Sequence, residues 1–216
     1  MQLKKFNTAT PFCKVCMKPF NPRSLVSNAI ASPTICSKCR VAFKPRVKRW
    51  LIDDVPCMSL YEYGDGMRSA IYQFKGCGDY ELRSVFVENV RFWLKLKFSK
   101  YIVVPAPSWI EADEQRGFNH VYAIFEQLGL PMVRAIIKTS NHKQSDQNVL
   151  GRKEIIKHLA LPKRKLIEHK NVVIVDDVFT TGNTIRSCIR LVKQAKADKV
   201  AVIVLAKVKQ HESGSK

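Results

Sequence analysis

One stretch constrains this chain more than any other: Val172-Val173-Ile174-Val175-Asp176-Asp177-Val178-Phe179-Thr180-Thr181-Gly182-Asn183-Thr184. Four β-branched residues in a row suit a central strand buried on both faces, since neither face alternates with polar residues. Two carboxylates follow at the carboxyl end, the edge at which open α/β sheets bind ligands. A small, hydroxyl-rich turn around Gly182 then opens a helix. Backbone N–H groups at that helix start, with the Thr hydroxyls, would cradle a phosphate monoester. The carboxylates would hold the vicinal hydroxyls of a sugar, directly or through a divalent ion.

The surrounding pattern supplies such a sheet. Residues 55–63 suit a strand ended by Gly64-Asp65-Gly66, followed by a helical stretch to about Phe74 and the polar loop Lys75-Gly76-Cys77-Gly78-Asp79. Apolar residues at Leu82, Val85, Phe86, Val90, Trp93 and Leu94 predict a helix over 80–97. Further strands are predicted at 101–104, 132–137, 172–175 and 200–205, with helices at 118–128 and 183–195; the last of these places Cys188 in its buried face. Residues 138–153 read as a polar loop and those after Lys207 as a polar tail. Strands alternating with helices indicate an α/β fold with a mostly parallel sheet flanked by helices.

The N-terminal segment has a different chemistry. Cys13-x2-Cys16 and Cys36-x2-Cys39 are two knuckles that together offer four thiolates to one ion. Zinc is the default occupant, although an iron–sulfur cluster would use the same ligands. A segment this short buries little apolar surface, so a metal would supply its folding energy. The expected division is a four-cysteine zinc module over 1–45 and a larger domain over 46–216, hinged at Pro45 to Trp50. The formal net charge is +19, and residues 1–50 hold eleven Lys and Arg but no acidic side chain. That field favours polyanions, nucleic acid foremost, and Phe12, Phe20, Phe43 and Trp50 among the cations could stack on unpaired bases. No signal peptide and no apolar run long enough to span a bilayer is visible, which points to the cytoplasm.

The strand-turn-helix segment resembles the phosphoribosyl-pyrophosphate signature of type I phosphoribosyltransferases. Three further motifs are similar to those of the ComF family of competence proteins: Val104-Pro105-Ala106-Pro107-Ser108 with Arg116-Gly117-Phe118-Asn119-His120, Lys75-Gly76-Cys77-Gly78-Asp79, and Gln144 with Arg152. A four-cysteine element ahead of the domain is also typical of that family. The resemblance implies a type I phosphoribosyltransferase fold with a small N-terminal zinc-binding module. It implies that Asp176 and Asp177 hold the ribose hydroxyls while Thr180, Thr181, Gly182, Asn183 and Thr184 cradle the 5′-phosphate, with Mg²⁺ accompanying the pyrophosphate. Lys75, Arg116, Lys143 and Arg152 are the candidates for contacting pyrophosphate or a DNA backbone. Two departures stand out: His120 replaces the usual Gln, and Ile155 replaces an Asn.

The resemblance further implies work in DNA uptake during natural transformation, on single-stranded DNA, beside the ComFA helicase-like ATPase and other DNA-processing competence proteins. Such a protein would be cytoplasmic, meeting the inner face of the membrane through partners. The alternative is a working phosphoribosyltransferase acting on a nucleobase or related acceptor. A third reading makes the cysteine module an adaptor for a protein partner.

Overall fold

The computed structural model describes residues 11–21, 34–139 and 159–208. At its centre lies a five-stranded sheet in the order β1-β2-β7-β6-β3. These strands are β1 (Lys48–Ile52), β2 (Val55–Glu62), β3 (Tyr101–Pro105), β6 (Asn171–Phe179) and β7 (Lys199–Lys207). β2, β7, β6 and β3 run parallel, and β1 pairs antiparallel with β2. Two short strands, β4 (Ile137–Lys138) and β5 (Leu159–Ala160), form a separate antiparallel ladder.

The four consecutive β-branched residues do what their pattern predicts. Val173 and Val175 enter one core with Ile203 and Leu205 of β7, while Val172 and Ile174 enter a second with Val202 and Val204. Helices α2 (Asp65–Lys75), α3 (Arg91–Lys97) and α5 (His120–Phe125) cover the first face. Helix α6 (Asn183–Gln194) covers the second with Ile185, Cys188, Ile189 and Val192, spaced at helical intervals. Truncating a side chain such as Ile174 to Ala would cost about 2–5 kcal/mol at so closed a position.

Several segments depart from the sequence-based expectation. Pro45 to Trp50 is no free hinge, because strand β1 begins within it and Arg46 N–H donates to Leu60 O at 2.9 Å. Asp53, with φ 55°, makes the tight turn that folds β1 onto β2. The helix expected over 80–97 is broken into a 3₁₀ turn at Tyr80–Ser84, further turns, and α3. Val85, Phe86 and Val87 are all buried; a regular helix turns about 100° per residue and cannot bury three consecutive side chains on one face. Residues 132–137 give only an isolated bridge from Met132 to Val103 before β4, since Ala135 N–H bonds back to Val133 O at 2.9 Å and turns the chain away. The helix expected over 118–128 is shorter, and a helix not foreseen, α4 (Ile110–Arg116), precedes it.

The N-terminal residues, with α1 (Ser37–Ala42), share the main core. Cys13, Ile35 and Phe43 belong to the same buried cluster as Leu60, Tyr61 and Phe86. Phe43 meets Tyr61 and Phe86 edge-on at 6.4 and 6.3 Å. Arg40 pairs with Glu88 at 2.8 Å, and Asn89 Nδ2 donates to Phe43 O at 3.0 Å. Among the described residues no helix is long and apolar enough to cross a membrane.

Candidate functional site

Strand β6 continues through Phe179, so both carboxylates lie within its last residues, with Asp176 still paired to Val204 of β7. Side chains alternate across a strand. Asp177 therefore shares the face of Val173 and Val175, toward α2 and α5, while Asp176 shares that of Val172 and Ile174. Asp177 Oδ2 accepts from Lys75 Nζ at 2.9 Å and lies 3.2 Å from His120 Nε2. Its Oδ1 accepts from Val178 N–H at 2.7 Å, and Asp176 Oδ1 accepts from Asp177 N–H at 2.9 Å.

These contacts set the two acids apart. Burial works to raise Asp177, but the His120 hydrogen bond and the Lys75 charge overcome it and hold the carboxyl well below its usual range. Asp176 is pushed well above its ordinary value, first by burial and then by the charge of Asp177. An approaching cation or pair of hydroxyl donors would relieve Asp176.

The turn after β6 has the geometry of an anion cradle. Thr180 and Thr181 are exposed, and Gly182 has φ +78°. A Cβ on Gly182 would sit 2.4 Å from Phe179 Cζ, so only glycine allows the chain to pass here. No side chain caps the start of α6, which leaves its first N–H groups available to an anion. Asn183 and Thr184 form the first turn and are partly exposed.

The second motif folds into a polar hub around Asp113, a residue to which the sequence assigned no role. Asp113 accepts from Asn119 Nδ2 at 2.7 Å, from Arg116 at 3.2 Å and from the Ser108 hydroxyl, and Arg134 lies 3.7 Å away. Its i, i+3 spacing from Arg116 was the available signal. Arg116 Nε also donates to Lys75 O at 2.7 Å, and its NH1 lies 3.4 Å from His120 Nδ1. The fold thus brings Lys75 and Arg116 together beside Asp177. Lys143 and Arg152, with Gln144 and Ile155, lie outside the described residues.

The loop Pro105 to Ser108 runs beside β6, tied by Ala106 N–H to Val175 O at 2.8 Å. It borders a cavity of about 260 Å³ whose cations are Arg134, Lys138 and Lys163. Lys138 lies 4.3 Å from the centre of the Trp109 ring, and burial lowers its pKa against the pull of Asp176.

In the N-terminal segment the sulfur atoms of Cys13, Cys16, Cys36 and Cys39 all lie within 4.8 Å of one another, with Cys16 and Cys36 at 3.9 Å. Zinc–thiolate bonds of about 2.3 Å in a tetrahedron place sulfurs about 3.8 Å apart, so the donor set fits that ion in number, type and spacing. Backbone N–H groups of Cys36, Cys16 and Val15 outweigh burial and bring the Cys13 thiol down to about 7. Of the aromatics in the basic segment, Phe43 is buried, Phe12 is exposed, and Trp50 packs on Phe179 beneath Lys207. Cys57 and Cys188 are buried and Cys77 is exposed.

A parallel sheet with this strand-turn-helix defines a phosphoribosyltransferase-type domain, and residues 114–215 match the phosphoribosyl transferase domain family. The chain is 29% identical to Competence protein ComFC of Bacillus subtilis (strain 168), over 79% of this chain and 71% of that one. It is 28% identical to Competence protein ComFC of Streptococcus pneumoniae (strain ATCC BAA-255 / R6), over 81% of this chain and 76% of the relative. The resemblance to the ComF family of competence proteins therefore holds over about four-fifths of the chain. A hypoxanthine-guanine phosphoribosyltransferase from Bacillus anthracis superposes with a TM-score of 0.40 at 15% identity, covering 63% of this chain and 75% of that one, too slight a likeness to add to the argument.

Proposed function

We propose that this protein is a competence factor in DNA uptake during natural transformation, with a site for phosphoribosyl pyrophosphate or a nucleotide-like relative. The observation that carries the ligand site is the Asp176–Asp177 pair toward the carboxyl end of β6, next to the uncapped start of α6 at Gly182. Asp176 and Asp177 take the ribose hydroxyls, with Mg²⁺ where the ligand bears pyrophosphate. Thr180, Thr181, Gly182, Asn183 and Thr184 take the 5′-phosphate. Lys75 and Arg116 stand on the pyrophosphate side, and Lys143 and Arg152 are assigned there from sequence alone. Residues 1–45 form a zinc module, with Cys13, Cys16, Cys36 and Cys39 holding one structural ion, ahead of a domain over 46–216.

The macromolecular partners are single-stranded DNA and the ComFA helicase-like ATPase. Support for the strand comes from the +19 charge and its concentration at the N-terminus. The protein works in the cytoplasm and reaches the membrane through partners. A second reading, a phosphoribosyltransferase that turns over, draws on the cavity beside Pro105 to Ser108, which could seat an acceptor.

Calorimetric titration with phosphoribosyl pyrophosphate and Mg²⁺ tests the ligand site, with a folded Asp176→Asn/Thr181→Val variant as control. Saturable binding lost in the variant supports it; no binding by zinc-loaded wild type sinks both the site and the transferase reading.

A further inference from the structure

On the α2 side of Asp177 lies a second cleft, of about 420 Å³, which shares Lys75, Asp177 and Thr180 with the ligand site but whose Tyr63, Arg68 and Tyr72 that assignment does not use. It is lined by Tyr63, Arg68, Tyr72, Lys75, Asp177 and Thr180 among others. Arg68, Tyr72 and Lys75 stand four and three residues apart and so share one stripe of α2. Tyr72 is 68% exposed, and among the described residues no ring or cation stacks on it. A Cβ on Gly76 would lie 3.2 and 3.3 Å from two of its carbons, so the ring rests against the bare glycine backbone. Among the described residues the Arg68 side chain makes no ion pair.

We propose that this cleft seats one nucleotide of a single strand, its base stacked on Tyr72 and a flanking phosphate on Arg68. An exposed aromatic face one helical turn from an uncommitted cation is how sequence-tolerant strand binding is built. The inference rests on the single-strand reading above and deepens it by giving the strand a location. It also has a consequence of its own. Lys75, Asp177 and Thr180 border both the cleft and the ribose-phosphate site, so a strand in the cleft and phosphoribosyl pyrophosphate in its site compete for the same ground.

The experiment is fluorescence anisotropy of a labelled oligo(dT) 20-mer with the full chain, wild type against Tyr72→Ala and Arg68→Gln. Neither residue belongs to the ribose-phosphate machinery, so calorimetric titration with phosphoribosyl pyrophosphate and Mg²⁺ should give the wild-type midpoint in both and report a correctly folded site. Tyr72→Ala is expected to weaken oligomer binding by about tenfold, as loss of one stacked base does. Arg68→Gln is expected to lower the slope of log affinity against log salt by about 0.7. Saturating phosphoribosyl pyrophosphate should weaken oligomer binding by the wild type. If wild type binds the oligomer and both variants bind it equally well with unchanged slope, the cleft is overturned while the single-strand reading stands. If wild type does not bind the oligomer at all, that reading falls and the cleft with it.

Discussion

His120 bridges two charged groups, its Nε2 lying 3.2 Å from Asp177 Oδ2 and its Nδ1 lying 3.4 Å from NH1 of Arg116. Arg116 can only donate, so Nδ1 accepts and Nε2 carries the proton toward Asp177. The imidazole therefore spans the gap between Arg116 and Asp177 and orients the carboxylate. A glutamine amide can offer the same donor to Asp177 and acceptor to Arg116.

His120→Gln should accordingly keep ligand affinity within about threefold. His120→Leu leaves a buried carboxylate oxygen short of a donor and should destabilise the fold by about 1–3 kcal/mol. Calorimetric titration with phosphoribosyl pyrophosphate and Mg²⁺, together with thermal unfolding of both variants, checks this pair.

Gly182→Ala combines a left-handed backbone with a collision against the Phe179 ring. Strain of this kind costs about 1–3 kcal/mol, and in a chain this size each kcal/mol lowers Tm by roughly 2–4 °C. Ligand affinity should fall along with stability because the cradle is displaced. Gly78→Ala, also at positive φ but in open space, serves as the comparison and should leave affinity unchanged.

The two carboxylates respond to pH in opposite senses. Asp177 is depressed in the folded state, so its contribution is present above the unfolded value near 4 and is lost as pH falls below it. Asp176 is raised, so the folded state binds the extra proton and stability declines as pH climbs from about 4 toward its folded pKa. Asp176→Asn removes that decline. Its Tm should match wild type near pH 4 and exceed it at pH 7, while ligand binding is lost. Equal Tm values at both pH values would count against the assignment.

Removing the metal should lower Tm of the whole chain in one transition, because Cys13 and Phe43 lie in the same core as Leu60 and Phe86. Scanning calorimetry before and after chelation checks this, with elemental analysis expected to give one zinc per chain. Two separate transitions would contradict it.

The sequence revealed what hydrophobic pattern and glycine dictate locally. Val172 to Val175 could only be a doubly buried strand, and Gly182 marked the turn into α6. What it hid depended on partners distant in the chain. Pro45 to Trp50 looked like a hinge because the strand character of Lys48–Ile52 comes from pairing with β2 and from the turn at Asp53. The 80–97 pattern had helical spacing, yet burial of Val85, Phe86 and Val87 together overrode it. His120 stood out in the sequence only as a departure from the usual Gln, and only the approach of α5 to the end of β6 shows it touching Asp177.

The core shared between the cysteine knuckles and the sheet decides how deletion genetics on this protein should be read. Cutting the chain after residue 45 would strip Phe43 from against Tyr61 and Phe86 and leave Glu88 without Arg40. Any phenotype of such a strain reports a folding lesion of the whole molecule. Exposed point changes on the knuckles, such as Phe12→Ala or Lys38→Gln, are the alleles that separate what the segment contacts from what it holds together.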